Sequence, residues 1–356
     1  MIQKVPQSET PACFEASNAS DTVQVLCAAD ENYAKSLCVT LRTAAESLRA
    51  GHRLKVFLID GGIVDSSWEK IKQSLAEFDV EIQVVQPCAD RVSSLLELST
   101  SHHITHTAYY RLLAAEWLPE EVTKVIYLDS DLLILGDLVE LWELEQHDHY
   151  CWAVPDVACP FVDAKAADYN FKKSSPYLAV LSPIRNYREL GLDGDAPYFN
   201  SGIMVMHLNR WRADNVSQRL LNCLAENQRH VWCWDQYALN VVFSGRWGQL
   251  PLRWNQGAHA FEFPGIENAP IAKDQFAEMI ERPAVIHYTT EWKPWDPITA
   301  HPEKEMFFEK LDETAWKDWR PEPVQFSLRS KWDRFALTVI KTWIVNYRKL
   351  AARFHK

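Results

Sequence analysis

What this chain lacks narrows it first. None of its 11 glycines falls in a Gly-x-Gly-x-x-Gly run behind the first apolar segment, and no Gly-x-x-x-x-Gly-Lys-Ser/Thr occurs. Any nucleotide bound here therefore has its phosphates held by something other than either glycine loop. The eight cysteines never form Cys-x-x-Cys, which speaks against a zinc site or a disulfide frame and for buried thiols in a reducing compartment. No uninterrupted apolar run reaches the roughly 18 to 20 residues that cross a bilayer, and the start of the chain shows no basic region followed by an apolar block. A soluble cytoplasmic protein is the expectation. A basic body is missing as well. The formal charge is −11, and residues 327–356 alone hold eight Lys or Arg against the single acid Asp333, so the rest is more acidic than the total suggests. An acidic body argues against nucleic acid as a partner.

What is present suits an enzyme-sized α/β protein. With 356 residues, 47% apolar and 24% charged, the chain can bury a sizeable core. Residues 1–20 are polar, contain two prolines and show no periodicity, which predicts a disordered leader. From there strand-like and helix-like segments alternate. Residues 23–27 form an apolar strand, Leu37, Leu41 and Leu48 mark one helix face, and 54–59 form the next strand. Trp68, Ile71, Leu75 and Phe78 mark a second helix, followed by strand 80–85. The alternation implies a parallel sheet with helices on both faces. A helix over about 108–117 leads into strand 125–128. Beyond it lie strand 151–154, an irregular proline-punctuated stretch from 155 to 197, and strand 203–206. A connection of that length is a candidate binding loop or lid.

The chemistry gathers at strand ends. Asp129-Ser130-Asp131 directly follows Val125-Ile126-Tyr127-Leu128, so two carboxylates stand where a strand leaves the sheet, the place where open α/β sheets bind ligands. Such a pair suits Mg²⁺ or Mn²⁺, which prefer oxygen ligands and substrate phosphates; a solvated acidic turn is the alternative. After strand 23–27 comes Ala28-Ala29-Asp30-Glu31-Asn32-Tyr33. Asp30 and Asn32 could read a base edge beside a stacking ring, or simply cap the helix. The apolar segment Ala284-Val285-Ile286 runs into His287, with Lys293 six residues later. An imidazole can complete a metal shell and an ammonium can meet a diphosphate, although a lone His is more often structural.

Taken together these blocks resemble glycosyltransferase family 8, the retaining sugar-nucleotide transferases that include bacterial lipopolysaccharide galactosyl- and glucosyltransferases and glycogenin. The resemblance runs in order from about Val23 to Trp295. It rests on 28–33, on His103-Ile104-Thr105 with Tyr110-Arg111-Leu112, on Asp129-Ser130-Asp131, on Tyr198-Phe199-Asn200-Ser201-Gly202-Ile203, on Asp235-Gln236, and on His287 through Lys293-Pro294-Trp295. It implies a GT-A fold: a Rossmann-like mixed sheet flanked by helices over 21–296, with a helical C-terminal extension over 297–356. It also implies Mn²⁺ or Mg²⁺ on Asp129, Asp131 and His287, and a UDP-sugar donor, UDP-glucose or UDP-galactose. Ala28, Asp30, Asn32 and Tyr33 would surround uridine, and Lys293 would contact the diphosphate. Arg111, Asn200 and Asp235 would hold the donor sugar, with Gln236 beneath its anomeric carbon. Asp156, at a strand exit, is a candidate acceptor-side carboxylate or an ordinary loop acid. Thr290 departs from the family pattern, which has Gly there, and puts a backbone contact to the diphosphate in doubt.

The tail calls for its own reading. From about 329, Trp332, Phe335, Val339, Ile340, Trp343, Ile344, Tyr347, Leu350 and Phe354 recur at three- and four-residue intervals, with Lys and Arg largely off that stripe. A basic amphipathic helix with aromatics suits an anionic membrane surface, which would make the protein peripheral at the inner face of the cytoplasmic membrane and favour a glycan or glycolipid acceptor. Packing on the catalytic domain or on a second subunit is the other reading. Rival functions are a glycogenin-like self-glucosylating protein, a catalytically weak sugar-nucleotide binder, and a phosphoaspartate phosphatase. The last would want Thr or Val where Leu133 stands.

Overall fold

The computed structural model describes residues 21–88, 106–167, 169–291, 293–296, 301–322 and Asn346. The expected leader over 1–20, the motif at 103–105 and, apart from Asn346, the basic stripe from about 329 lie outside the described residues.

Strands β1 (Thr22–Ala29), β2 (Arg53–Asp60) and β3 (Val80–Val85) alternate with helices α1 (Ala34–Glu46) and α2 (Asp65–Leu75). Each crossover returns the chain to a parallel neighbour, as a strand–helix–strand unit requires. Successive side chains of β1 serve different layers: Val25 and Cys27 join one apolar cluster, Leu26 and Ala28 the other. Burial on both faces explains why the strand reads as a continuous apolar run.

β4 (Lys124–Leu128) pairs parallel with β1, and then the direction changes. With β5 (Leu132–Ile134), β6 (Cys151–Pro155), β7 (Phe199–His207) and β8 (Trp247–Gln249) placed, the main sheet has the order β3-β2-β1-β4-β7-β6-β8. β7 is antiparallel to both β4 and β6. The sheet is therefore mixed, as the family resemblance implies: parallel from β3 through β4 and again between β6 and β8, antiparallel on both sides of β7. Apolar patterning carries no chain direction, so it could not announce the reversal.

A second sheet of order β5-β10-β9 is completed by β9 (Gln256–Gly257) and β10 (Val285–His287). The free edge of β5 lies on α1. Thr40 Oγ1 donates to the Leu132 carbonyl at 2.8 Å and accepts from its N–H at 3.1 Å, and Thr43 Oγ1 accepts the Ile134 N–H at 3.1 Å. Two helical threonines thus satisfy backbone groups that a lone edge would leave buried and unpaired. The 155–197 connection has short helices at Ala164–Ala167 and Phe171–Ser174 and a bridge between Phe161 and Pro197. At the start of the expected extension, helix Lys304–Asp312 buries Phe307, Phe308 and Leu311 in the same cluster as Leu37 and Leu41 of α1. Among the described residues every cysteine is free, and no helix is long and apolar enough to cross a membrane.

Candidate active site

Between the end of β4 at Leu128 and the start of β5 at Leu132, the chain has room only for Asp129, Ser130 and Asp131. β10 runs antiparallel to β5 with His287 opposite Leu132, and the Tyr288 N–H donates to the Asp131 carbonyl at 3.1 Å. That ladder carries the imidazole to both acids across more than 150 residues of sequence. Ligand atoms of Asp129, Asp131 and His287 lie within 4.8 Å of one another. His287 Nε2 is 3.3 Å from Asp131 Oδ1 and 3.7 Å from Asp129 Oδ2.

Each acid has one oxygen committed elsewhere. Asp129 Oδ1 accepts from Arg111 Nη2 at 2.7 Å and from the Tyr127 hydroxyl at 2.9 Å. Asp131 Oδ2 accepts from Lys293 Nζ at 2.5 Å, and the same ammonium donates to the Tyr288 carbonyl at 2.7 Å. Burial alone would raise the Asp131 carboxyl, but the Lys293 ammonium outweighs it and holds the group below the usual carboxylate range. Its other oxygen, Oδ1, is buried and finds no hydrogen-bond partner among the described residues. A buried carboxylate oxygen left unmatched beside an imidazole nitrogen and a second acid is a donor set that fits Mn²⁺ or Mg²⁺.

Arg111 proves to be first of all a bridge between acids. Only 4% exposed, it stacks on Tyr127 with its guanidinium carbon 4.3 Å from the ring centre. It spans Asp129 and Asp235, the latter at 3.2 Å, while also donating to the carbonyls of Ser201 at 2.8 Å and Ala108 at 2.9 Å. Burial raises the Asp235 carboxyl above its ordinary range, with the Arg111 charge opposing.

Gln236 lies in the first turn of the helix Trp234–Val242, and its amide orientation is set by its neighbours. The Ser201 N–H donates to Oε1 at 3.1 Å, and Nε2 donates to Asp156 Oδ2 at 2.9 Å. The carbonyl expected beneath the anomeric carbon therefore has one lone pair already engaged. Asp156 also receives Asn200 Nδ2 at 3.1 Å and the Ala158 N–H at 2.9 Å. The candidate acceptor-side acid thus orients two amides of the site, which a solvated loop acid would not.

Two cavities meet over the acids. The larger, about 270 Å³, is lined by Asp156, Asn200, Asp235, Gln236, His287 and Thr290 among others. The smaller, about 80 Å³, is lined by Ala28, Asp30 and Tyr33. Both share Ala108, Arg111, Asp129, Asp131 and Lys293, so the acids form the floor where they join. Asp30 also performs the capping role: its carboxylate accepts the Asn32 N–H at 3.0 Å at the start of the short helix Glu31–Tyr33. Asn32 is exposed and lines neither cavity. Tyr33 meets Trp295 edge to face, with ring centres 5.9 Å apart, which ties the 293–295 motif to the first strand exit.

Thr290, where the family pattern has glycine, has a left-handed backbone with φ at +74°. A β-branched residue is strained there. That strain is on the order of 1–3 kcal/mol, against roughly 0.5–1 kcal/mol for the extra chain entropy of a glycine. Thr290→Gly should therefore stabilise the fold by about 1 kcal/mol, seen as a higher urea midpoint; an unchanged or lower midpoint would contradict the strain. Two further residues of the site escaped sequence reasoning. Asn255 lies in the loop before β9 and receives His287. Gly202 lets His287 pass over β7: a Cβ on it would fall 2.2 Å from His287 Cε1. The Tyr-Phe-Asn-Ser-Gly block contained the second signal, whereas no local pattern marks the first.

Residues 24–299 match the profile of glycosyl transferase family 8. General stress protein A of Bacillus subtilis is 26% identical over 299 residues, covering 83% of this chain and 95% of that protein. The lipopolysaccharide 1,2-glucosyltransferase of Escherichia coli K12 is 23% identical over 315 residues, 88% of this chain and 85% of that enzyme. The crystal structure of the galactosyltransferase LgtC in complex with donor and acceptor sugar analogues superimposes with a TM-score of 0.67 at 21% identity, over 82% of this chain and 96% of that one. The shared fold is the GT-A fold that the resemblance implied. With its profile matched across most of the sequence, this chain belongs to glycosyl transferase family 8.

Proposed function

We infer that the protein moves a hexose from UDP-glucose or UDP-galactose to a hydroxyl of a glycan or glycolipid, with retention at the anomeric carbon. Asp129, Asp131 and His287 would hold Mn²⁺ or Mg²⁺. The observation that carries this reading is the placement of their ligand atoms within 4.8 Å of one another at the junction of the two cavities. One cavity carries Ala28, Asp30 and Tyr33; the other carries Gln236, Asn200 and Asp156. The cation, when bound, would supply charge stabilisation to a departing diphosphate.

The chain's own residues supply the rest. Tyr33 offers a ring face for uracil, and Lys293, already at the shared floor, presents an ammonium to the phosphates. Arg111 sets its guanidinium between Asp129 and Asp235, two acids that would otherwise repel each other at close quarters. Asn200 and Asp235 face the sugar in the larger cavity. Gln236, pinned by Ser201 and Asp156, presents a fixed amide dipole to the anomeric carbon as positive charge develops there. An amide is a weak nucleophile, and this favours attack by the acceptor from the face the UDP leaves over a covalent glycosyl-enzyme. The left-handed backbone at Thr290 supports a competent site over a catalytically weak binder, since the glycine-like path past the cavity is preserved. The basic stripe beyond 329 supports peripheral contact with an anionic membrane and hence a lipid-linked acceptor.

A panel of UDP-sugars incubated with the protein and Mn²⁺ tests the donor, because slow hydrolysis releases UDP without an acceptor. UDP release from a UDP-hexose is expected; release from none of the panel would refute the reading.

A further inference from the structure

His287 is one end of a chain of side-chain amides whose orientation is set by the backbone. The Gly202 N–H can only donate, and it donates to Asn200 Oδ1 at 2.9 Å. Asn255 must then turn its amide nitrogen to that oxygen, and Asn255 Nδ2 lies 2.9 Å from Asn200 Oδ1. The other end of Asn255 is consequently its carbonyl, and Asn255 Oδ1 stands 2.9 Å from His287 Nδ1. A carbonyl oxygen accepts only, so the proton sits on Nδ1. The opposite end of the chain agrees independently: the Asp156 carboxylate receives Asn200 Nδ2, which forces Asn200 Oδ1 to face Gly202 and Asn255. Asn255 and His287 are each 4% exposed, and Asn255 directly precedes β9, whose Gly257 pairs with His287. Water has little access to scramble these assignments.

We propose that Asn255 is a positioning residue that fixes the tautomer and ring orientation of His287 and thereby sets the affinity of the Asp129–Asp131–His287 site for a divalent cation. With the proton held on Nδ1, the lone pair of Nε2 points at Asp131 Oδ1, 3.3 Å away. That oxygen lacks a hydrogen-bond partner among the described residues. Two acceptors facing each other at that distance repel until a proton or a cation stands between them, so the site is electrostatically prepared for one. A histidine whose second nitrogen is pinned by an outer acceptor loses no orientation on ligation. The same chain runs on through Asn200 and Asp156 to Gln236, so the group that orients the metal ligand also orients the amide below the sugar. This role rests on the metal reading above and adds to it a residue outside the ligand set.

The test uses the full chain. Mn²⁺ binding in the presence of UDP is followed by loss of the free-ion electron paramagnetic resonance signal, and the His287 tautomer by ¹⁵N–¹H correlation on protein labelled at histidine, assigned by the signal missing in His287→Gln. Asn255→Leu keeps the shape, removes the acceptor and leaves Asn200 Oδ1 satisfied by Gly202. It should weaken Mn²⁺ binding about 10- to 100-fold and shift the imidazole away from the Nδ1–H form. Asn255→Asp still accepts from Nδ1 and should keep the Nδ1–H form, but its second oxygen faces Asn200 Oδ1 where the amide nitrogen donated, so Mn²⁺ binding should fall clearly less than in Asn255→Leu without being fully preserved. Equal binding by Asn255→Leu, equal losses in both variants, or a proton found on Nε2 of the unsubstituted protein would each overturn the role. Unsubstituted protein that binds no Mn²⁺ would sink the metal reading itself, a result distinct from normal binding that ignores Asn255.

Discussion

Asp131→Asn should lower UDP release about a thousandfold, because several kcal/mol of charge stabilisation at the leaving diphosphate depend on the ligand set. The substitution also strikes the fold. Lys293 is 8% exposed and donates to Asp131 at 2.5 Å; leaving that ammonium against a neutral amide costs roughly 3–5 kcal/mol, the usual result of breaking one side of a buried pair. The two effects separate in a second variant. Removing both charges in Asp131→Asn/Lys293→Met leaves no uncompensated buried charge, so it should recover most of the stability and none of the activity. Melting temperature and UDP release on the three proteins decide the matter. Activity that returns with stability would show that Asp131 matters only to the fold.

Gly202→Ala is expected to be nearly as damaging from a single methyl group. Gly202 shows no positive φ, so backbone freedom is not the reason for glycine there. The reason is space: a Cβ would lie 2.2 Å from His287 Cε1, 2.7 Å from Nδ1 and 3.0 Å from Asn200 Oδ1. The imidazole is buried and held through Nδ1 by Asn255, so relief requires either the ring or β7 to move. A misplacement of about 1 Å costs on the order of a hundredfold, and UDP release should fall by that much. A double-mutant cycle identifies the cause. In a His287→Ala background the added methyl no longer meets the ring and keeps only the 3.0 Å approach to Asn200 Oδ1, so Gly202→Ala should cost much less there. Undiminished cost in that background would place the damage in the sheet and not at His287.

How much was visible beforehand follows from where each constraint is written. The first two strands and their helices were legible because burial on both sheet faces writes itself as apolar runs, and the edge strand β3 because its apolar and polar residues alternate. The acids, His287, Lys293 and Gln236 were legible because each stands at a strand exit or helix start within a recognisable block. The reversal at β7 was not, since an antiparallel strand buried on both faces has the same composition as a parallel one. Arg111 was expected on the sugar and turns out to be engaged by Asp129 and Asp235, an ion-pair geometry set by residues more than 100 positions apart. Asn255 was invisible for a related reason: its role consists of two hydrogen bonds, to Asn200 and to His287, that exist only once β9 lies beside β10. Asp30 shows the opposite case: the helix cap read from the sequence is formed, and the same carboxylate also lines the smaller cavity.

The central claim is that Asp129, Asp131 and His287 hold a divalent cation against UDP. Pulsed electron paramagnetic resonance of Mn²⁺ bound with UDP measures this directly through nuclear couplings to the ion. One coordinated histidine nitrogen together with phosphorus coupling is expected, the nitrogen coupling vanishing in His287→Ala. A bound Mn²⁺ that shows no nitrogen coupling, or keeps it in His287→Ala, would contradict the claim.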